Sequence, residues 1–477
     1  MDWMPDRKLK KAIYKQIAEY IENGIANGTF PLDKPLPSER SLASKYGVNR
    51  STIVATYSEL EANGLVDRKK GSGTIISRDI WGLTKKRIPS WNRYIEAGTF
   101  LPNIPVIQRL RKEMEEDHLI NLASGELSED LFPNEFIRKT ISTKEFTGYL
   151  GYDHPQGNID LRKTIVNHVR DYRNIETNPD SVLITSGAQQ ALQLVVQCLL
   201  KPGDAVAIEN PSYSFSLPIF KTAGLKVFYL SVGKKGINPD DLIDLHRKHR
   251  IKMLFLNPIF QNPTGTLLPY QQRKRILDLS SKFGIPVIED DPYSLTSFIE
   301  DDVSTLKSMD TNGNVLYISS LSKIAAPGLR IGWIIGPTSV IERLADAKQQ
   351  FDFGHSTVSQ WIGNEFLSSN YFDEHLPLLK LQLKKRRDLI LNEIHKYFGD
   401  HVECFTPLGG IHLWCKFKNE FNELQLLEQS IKAGVIFAPG TTLGTEKGFI
   451  RLTFARVNEE KILEGIKRLA NAVEMLH

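Results

Sequence analysis

Ser319-Ser320-Leu321-Ser322-Lys323-Ile324-Ala325-Ala326-Pro327-Gly328-Leu329-Arg330-Ile331-Gly332-Trp333 sets one lysine between a serine-rich lead-in and a Pro-Gly turn, with an arginine just beyond. Apolar runs flank it, Val315 to Ile318 before and Ile331 to Ile335 after, and read as buried strands. A lysine at the end of a buried strand loses hydration, which lowers its pKa and frees the amine to attack an aldehyde. A solitary lysine is ordinarily a solvated surface charge. Lys323 gains a chemical reading only from the residues elsewhere that such an amine needs.

Those residues follow strand ends. After Asn121 the chain alternates short apolar runs with helical patterns: Val182 to Thr185 leads into Gln189 to Leu200, and Ala205 to Glu209, Met253 to Asn257 and Val287 to Asp290 repeat the strand signal. Such alternation predicts an α/β fold with a mainly parallel sheet, whose ligands bind at the carboxyl ends of strands. Ser186-Gly187-Ala188 follows one strand and opens a helix, an anion site by its backbone N–H groups. Tyr213, in Glu209-Asn210-Pro211-Ser212-Tyr213, reads either as core or as a ring to stack on a flat heterocycle. Asn262, in Asn262-Pro263-Thr264-Gly265, offers an amide on a stiff loop. Asp290 and Tyr293 close another strand, where a buried carboxylate needs a cationic partner. Ser320, Arg330 and, on a late strand, Arg451 complete the set.

One ligand answers to a phosphate, a basic aromatic nitrogen, a phenolic oxygen and an aldehyde: pyridoxal 5′-phosphate. The order of these motifs over about residues 119–477 resembles the fold-type I aminotransferases, which implies a large domain with a smaller C-terminal α+β subdomain. The resemblance implies that Lys323 forms the Schiff base and Asp290 pairs the pyridinium nitrogen. It further implies that Asn262 and Tyr293 meet the phenolic oxygen and that Tyr213 stacks on the ring. Ser186, Gly187, Ala188, Ser320 and Arg330 would cradle the phosphate, and Arg451 would grip an effector's α-carboxylate. Tyr152, in Leu150-Gly151-Tyr152-Asp153-His154-Pro155-Gln156-Gly157, matches a tyrosine that reaches the neighbouring subunit's phosphate, so a homodimer is implied.

The other end of the chain is different. Ile13, Ile17, Tyr20, Ile21 and Ile25 recur at helical spacing; Ser38 and Asn49 can cap two further helices across Tyr46-Gly47-Val48, the second running to about Ala62. Two short helices about a glycine turn form a helix-turn-helix pattern, with Ile53, Val54, Tyr57 and Leu60 facing its core. Leu65 to Ile76, with Gly71-Ser72-Gly73 at its centre, reads as a hairpin. Leu36-Pro37-Ser38-Glu39-Arg40, Leu42-Ala43, Gly47 to Thr52 and Gly71-Ser72-Gly73-Thr74 resemble the GntR-type winged helix, with Asn49 where serine is common. That resemblance implies DNA contacts by Arg40, Arg50, Ser51, Thr52, Lys69, Lys70 and Gly71.

The charge distribution agrees. Residues 1–78 hold 13 Lys/Arg and 9 Asp/Glu, so this segment carries the whole of the chain's net charge of +4. A basic small module points to a polyanion such as double-stranded DNA. The expected division is a DNA-binding domain at 1–78, a linker at 79–118 with an amphipathic stretch from Val106 to Asp117, and an effector domain at 119–477. No apolar run approaches the ~18 residues of a membrane span, and the charged N-terminus is unlike a signal peptide. Cys198, Cys404 and Cys415 lack metal spacing, argue against a disulfide framework, and fit a reducing, cytoplasmic setting as small buried residues. No metal site is expected.

A winged helix ahead of an aminotransferase-like domain resembles the MocR subfamily of bacterial transcription regulators. The resemblance implies a head-to-tail homodimer in which an amino compound or free cofactor exchanges at the lysine and alters promoter binding. An aminotransferase that turns over while tethered to DNA is the alternative, and a purely structural dimeriser a third. Ser214 to Phe220 contains one cation-free loop, so no clamp for a second carboxylate is evident there.

Overall fold

A computed structural model describes residues 3–26, 29–30, 35–69, 73–77, 97–146, 148, 150–300, 303–418 and 422–476. They fall into two units, Met1–Gly98 and Thr99–His477. Lys70 and Gly71, the side chain of Lys69, Arg78 and residues 79–96 of the expected linker lie outside the described residues.

In the first unit, helices Ile13–Ala26, Glu39–Tyr46 and Arg50–Ala62 precede an antiparallel pair, Val66–Lys69 with Gly73–Ile76. Ser38 caps the second helix by accepting from the Ser41 N–H, and Gly47 ends it in the left-handed region at φ 61°. A residue with a Cβ enters that region at a cost, which is why glycine stands at the turn. Asn49 occupies the N-cap of the third helix, but its side chain makes no capping bond; extended backbone alone starts the helix. Ile53, Tyr57 and Leu60 are buried with Ile17, Ile21 and Leu65. Val54 is only half-buried; Thr56 faces inward in its place, donating to the Thr52 carbonyl at 2.9 Å. Trp3, upstream of every motif read above, stacks on Tyr20 with centroids 4.3 Å apart and meets Tyr46 edge-on.

The second unit begins ahead of residue 119. Helix Pro105–Glu113 is shorter than the Val106–Asp117 stretch expected, and it buries Leu110 in the same core as Ile120 and Leu122. Its apolar stripe needs a partner, and that partner is this unit. The main sheet has eight strands in the order Val182–Ser186, Ile331–Ile335, Val315–Ser320, Val287–Asp290, Met253–Leu256, Ala205–Asn210, Lys226–Gly233, Gly236–Ile237. Five run parallel in one block; Ile331–Ile335 is antiparallel to both neighbours, and Gly236–Ile237 folds back as a hairpin. The strands are continuous apolar runs because helices cover the sheet. Helix Gly187–Leu199 packs on one face with Thr338–Asp352, and Tyr270–Phe283 covers the opposite face.

The C-terminal part forms a four-stranded antiparallel sheet, Val402–Phe405, His412–Phe417, Phe449–Thr453 and Ala438–Pro439 in that order, against helices Asn370–Phe398 and Glu459–Glu474. Among the described residues no helix is long and apolar enough to cross a membrane.

Candidate functional site

The parallel strands all end on the same edge, so Ser186, Asn210, Asn257, Asp290 and Ser320 arrive there together. Asp290 is the last residue of its strand and is buried. Its Oδ2 accepts a hydrogen bond from the Tyr213 hydroxyl at 2.5 Å, while its Oδ1 is buried without a partner. Burial pushes the Asp290 carboxyl up to about 6, against the Tyr213 hydrogen bond, which favours the anion. Burial and the neighbouring carboxylate raise the Tyr213 phenol well above its usual range. An orphaned carboxylate oxygen in the interior is costly, and one N–H donor would satisfy it. Tyr213 thus meets Asp290 through its hydroxyl.

Lys323 sits on the turn after Val315–Ser320, and its Nζ donates to the Gly125 carbonyl at 2.5 Å. Burial lowers its ammonium to about 8; nearby Glu126 opposes the shift and Arg451 adds to it.

At the start of the next helix Gly187 has φ +75°, and a Cβ there would stand 2.6 Å from an Arg330 Nη atom. Arg330 crosses the turn and donates to the Ser186 carbonyl at 2.7 Å. A Cβ on Gly332 would lie 2.7 Å from the Gly187 carbonyl carbon, so the Ile331–Ile335 strand approaches the start of helix Gly187–Leu199 as only a glycine at 332 allows. Ser320 is buried beside them and receives the Ser322 N–H. A helix N-terminus, a buried hydroxyl and one guanidinium therefore lie together here.

Arg451, from the Phe449–Thr453 strand, donates through Nη1 to Asn262 Oδ1 at 2.9 Å and through Nη2 to the Ala123 carbonyl at 2.6 Å. Its Nε is buried without a partner, and burial brings its guanidinium down to about 10. Tyr293 is buried nearby, facing the Asn262 amide.

Two participants escaped the sequence reading. The first is His412, at the start of a strand and 2% exposed. Its Nε2 is 3.0 Å from the Tyr293 hydroxyl and its Nδ1 3.0 Å from Thr453 Oγ1. Burial, with Arg451 and Lys323 near, holds the imidazole neutral, well below its usual range. The second is the 122–126 segment, which supplies carbonyls to both Lys323 and Arg451. Tyr152 stands apart: in the single chain its ring is 84% exposed and touches Phe353.

In the first unit Arg40, Arg50 and Ser51 are exposed and Thr52 is half-exposed at the start of the third helix. Arg50 forks onto Glu39 Oε2 at 2.9 and 3.0 Å. Arg68 is turned back onto the third helix, bonding the Val54 carbonyl and Ser58 Oγ.

A winged helix followed by a large α/β unit with an amine, a carboxylate and an anion cradle at one sheet edge defines a DNA-binding regulator built on an aminotransferase scaffold. Residues 13–76 match the family model of bacterial regulatory proteins of the gntR family, and residues 117–469 that of aminotransferase class I and II. The uncharacterized HTH-type transcriptional regulator YisV of Bacillus subtilis is 36% identical over 477 residues, covering 99% of this chain and 98% of its own. The HTH-type transcriptional regulator NorG of Staphylococcus aureus is 33% identical, covering 92% of this chain and 99% of its own. Among solved structures, Pyrococcus horikoshii kynurenine aminotransferase, crystallised with PMP, superposes with a TM-score of 0.74 at 30% identity over 79% of this chain and 95% of its own. The multiple substrate aminotransferase of Thermococcus profundus gives 0.75 at 28% identity, covering 81% and 99%. The chain belongs to the GntR-type transcriptional regulators of the MocR kind, which join a winged helix to an aminotransferase class I and II domain.

Proposed function

We propose that this regulator binds pyridoxal 5′-phosphate at the sheet edge and responds through it to an amino compound. The observation that carries the reading is the buried, partnerless Oδ1 of Asp290 at the same edge as the desolvated Lys323 amine and the glycine-lined cradle at Gly187. The kinship with aminotransferases crystallised with PMP and with N-(5′-phosphopyridoxyl)-L-leucine supports it. When bound, the cofactor supplies an aldehyde that condenses reversibly with amines.

The chain's own residues define the rest. Asp290 offers its free oxygen to a ring N–H, and its ionised form gains most from a cation there. Lys323 keeps an unprotonated fraction near neutral pH and so serves as the attachment point. Asn262 and Tyr293 hold the phenolic oxygen; Ser186, Gly187, Ala188, Ser320 and Arg330 hold the phosphate; the Tyr213 ring covers the heterocycle. Arg451 takes the carboxylate of an effector. His412 fixes the Tyr293 hydroxyl from behind, through the hydrogen bond described above.

Tyr152, exposed in one chain, acts in the partner's site within a head-to-tail homodimer. Arg40, Arg50, Ser51, Thr52, Lys69, Lys70 and Gly71 meet DNA. A ligand shifts DNA affinity only by binding two states of the dimer unequally. Sustained turnover is the second reading, favoured by the complete set of amine-handling residues.

The deciding experiment footprints DNA flanking the protein's own gene with the chain alone, with the cofactor, and with cofactor plus candidate amino compounds. In parallel, Lys323→Ala should lose the borohydride-reducible cofactor adduct and the ligand response while still binding DNA. A ligand response that survives in Lys323→Ala sinks the sensing reading. Multiple turnovers with a 2-oxo acid acceptor would replace it with the enzymatic one.

A further inference from the structure

Cys404 and Cys415 are eleven residues apart in sequence, yet they face each other across the antiparallel pair Val402–Phe405 and His412–Phe417. They are directly opposite in register, with Sγ atoms 2.7 Å apart, and both are free thiols. Directly opposed residues on such a ladder have Cα atoms about 4.5–5.5 Å apart, within the roughly 4.4–6.8 Å that a disulfide spans. The register thus sets the pair at a spacing that a disulfide can span.

We propose that Cys404 and Cys415 form a redox-active dithiol that a hydroperoxide oxidises to an internal disulfide. The two thiols are unequal in a way that orders the steps. Cys404 lies on the edge strand of its sheet and is half-buried, so a small peroxide can reach it. Cys415 is fully buried, and its burial raises the thiol well above its usual range. Cys404 sulfur, as thiolate, attacks one peroxide oxygen; the O–O bond breaks, an alcohol or water leaves, and Cys404 carries a sulfenic acid. Cys415 sulfur then attacks Cys404 sulfur; the S–S bond forms, the S–O bond breaks, and the hydroxide leaves as water with the Cys415 proton. Two thiols and one hydroperoxide give one disulfide, one alcohol and one water.

The position gives the bond a structural consequence. Opposed residues share a face of a sheet. Cys415 is opposite Ile450 and packs with Leu413 in the helix-facing core, whereas Trp414 is opposite Arg451 and His412 opposite Thr453 on the other face. A bond between the edge strand and its neighbour thus stiffens the strand that carries His412 and is hydrogen-bonded to the Arg451 strand.

The test uses the full-length protein after removal of reductant. One equivalent of hydrogen peroxide should lower the titratable thiols of the unfolded chain from three to one. The intact mass should fall by two hydrogens, and a Cys404–Cys415 linked peptide should appear. Dithiothreitol should restore all three thiols. Cys198→Ser should still form the linked peptide; Cys404→Ser and Cys415→Ser should not. Oxygen addition at Cys404 without the linked peptide overturns the proposal, as does a cross-link between chains in its place. The peptide map of the natural chain decides the matter even if a serine variant fails to fold.

Discussion

Replacing His412 by phenylalanine removes a hydrogen-bond relay while filling its site. The larger ring leaves no cavity and adds some overpacking, which is common to His412→Phe with and without Thr453→Val, and both hydroxyls that the imidazole joins lose their partner. Thr453 is fully buried and Tyr293 nearly so, and each orphaned group costs about 1–3 kcal/mol. Tyr293 retains the Asn262 amide close by, which places its share at the low end, so His412→Phe should cost about 2–4 kcal/mol at pH 8. Thr453→Val should then behave oppositely in the two backgrounds: destabilising alone, but recovering about 1 kcal/mol when added to His412→Phe, since the orphaned hydroxyl is gone. The pH dependence has a definite sign. The folded imidazole stays neutral while the unfolded one takes up a proton below about 6.5, so the natural chain loses this stability as pH falls. The penalty of His412→Phe should therefore shrink by about 1.4 kcal/mol between pH 8 and pH 5.5. Urea unfolding followed by tryptophan fluorescence, with Trp333 and Trp414 buried in this unit, reads the difference. Equal effects of Thr453→Val in both backgrounds, or a pH-independent penalty, would refute the relay.

Gly332→Ala drives a Cβ into backbone atoms of Gly187, so overpacking of about 1–3 kcal/mol should accompany weakened cofactor binding, checked by visible absorbance during titration with cofactor. Arg50→Ala breaks an exposed ion pair worth at most about 1 kcal/mol to folding. The loss of groove contact should cost DNA affinity about 1–3 kcal/mol, so anisotropy on operator DNA should change while the melting temperature barely moves. Trp3→Ala removes a stacked aromatic pair and should destabilise the DNA-binding unit by about 1–3 kcal/mol, seen as earlier loss of helical signal in that unit expressed alone; an unchanged transition would deny Trp3 its clasp role.

What was legible in the chain were features written locally. The serine run, Pro-Gly turn and arginine around Lys323, the strand ends carrying Ser186 and Asp290, and the glycine turn between two helices each declare a backbone shape within a dozen residues. Features made by strand pairing were not. Cys404 and Cys415 looked like separate small apolar residues because nothing in the sequence states that Val402–Phe405 and His412–Phe417 pair in that register. His412 drew no reading, because its partners Tyr293 and Thr453 are 119 and 41 residues away. Asn49 shows the reverse limit: the right residue type stood at the helix start, yet its side chain made no cap. Residue preference names what a position can do, and neighbours decide whether it does.

The grip of Arg451 on its own chain has a further meaning. Each of its Nη groups spends one N–H inside the chain, on Asn262 and on the Ala123 carbonyl, while its Nε–H has no partner, so the guanidinium is held in place with donors to spare. Gly125, two residues along the same segment, is the group that tethers Lys323. One short segment thus holds both cations, and any shift of 123–125 would reach Arg451 and Lys323 together.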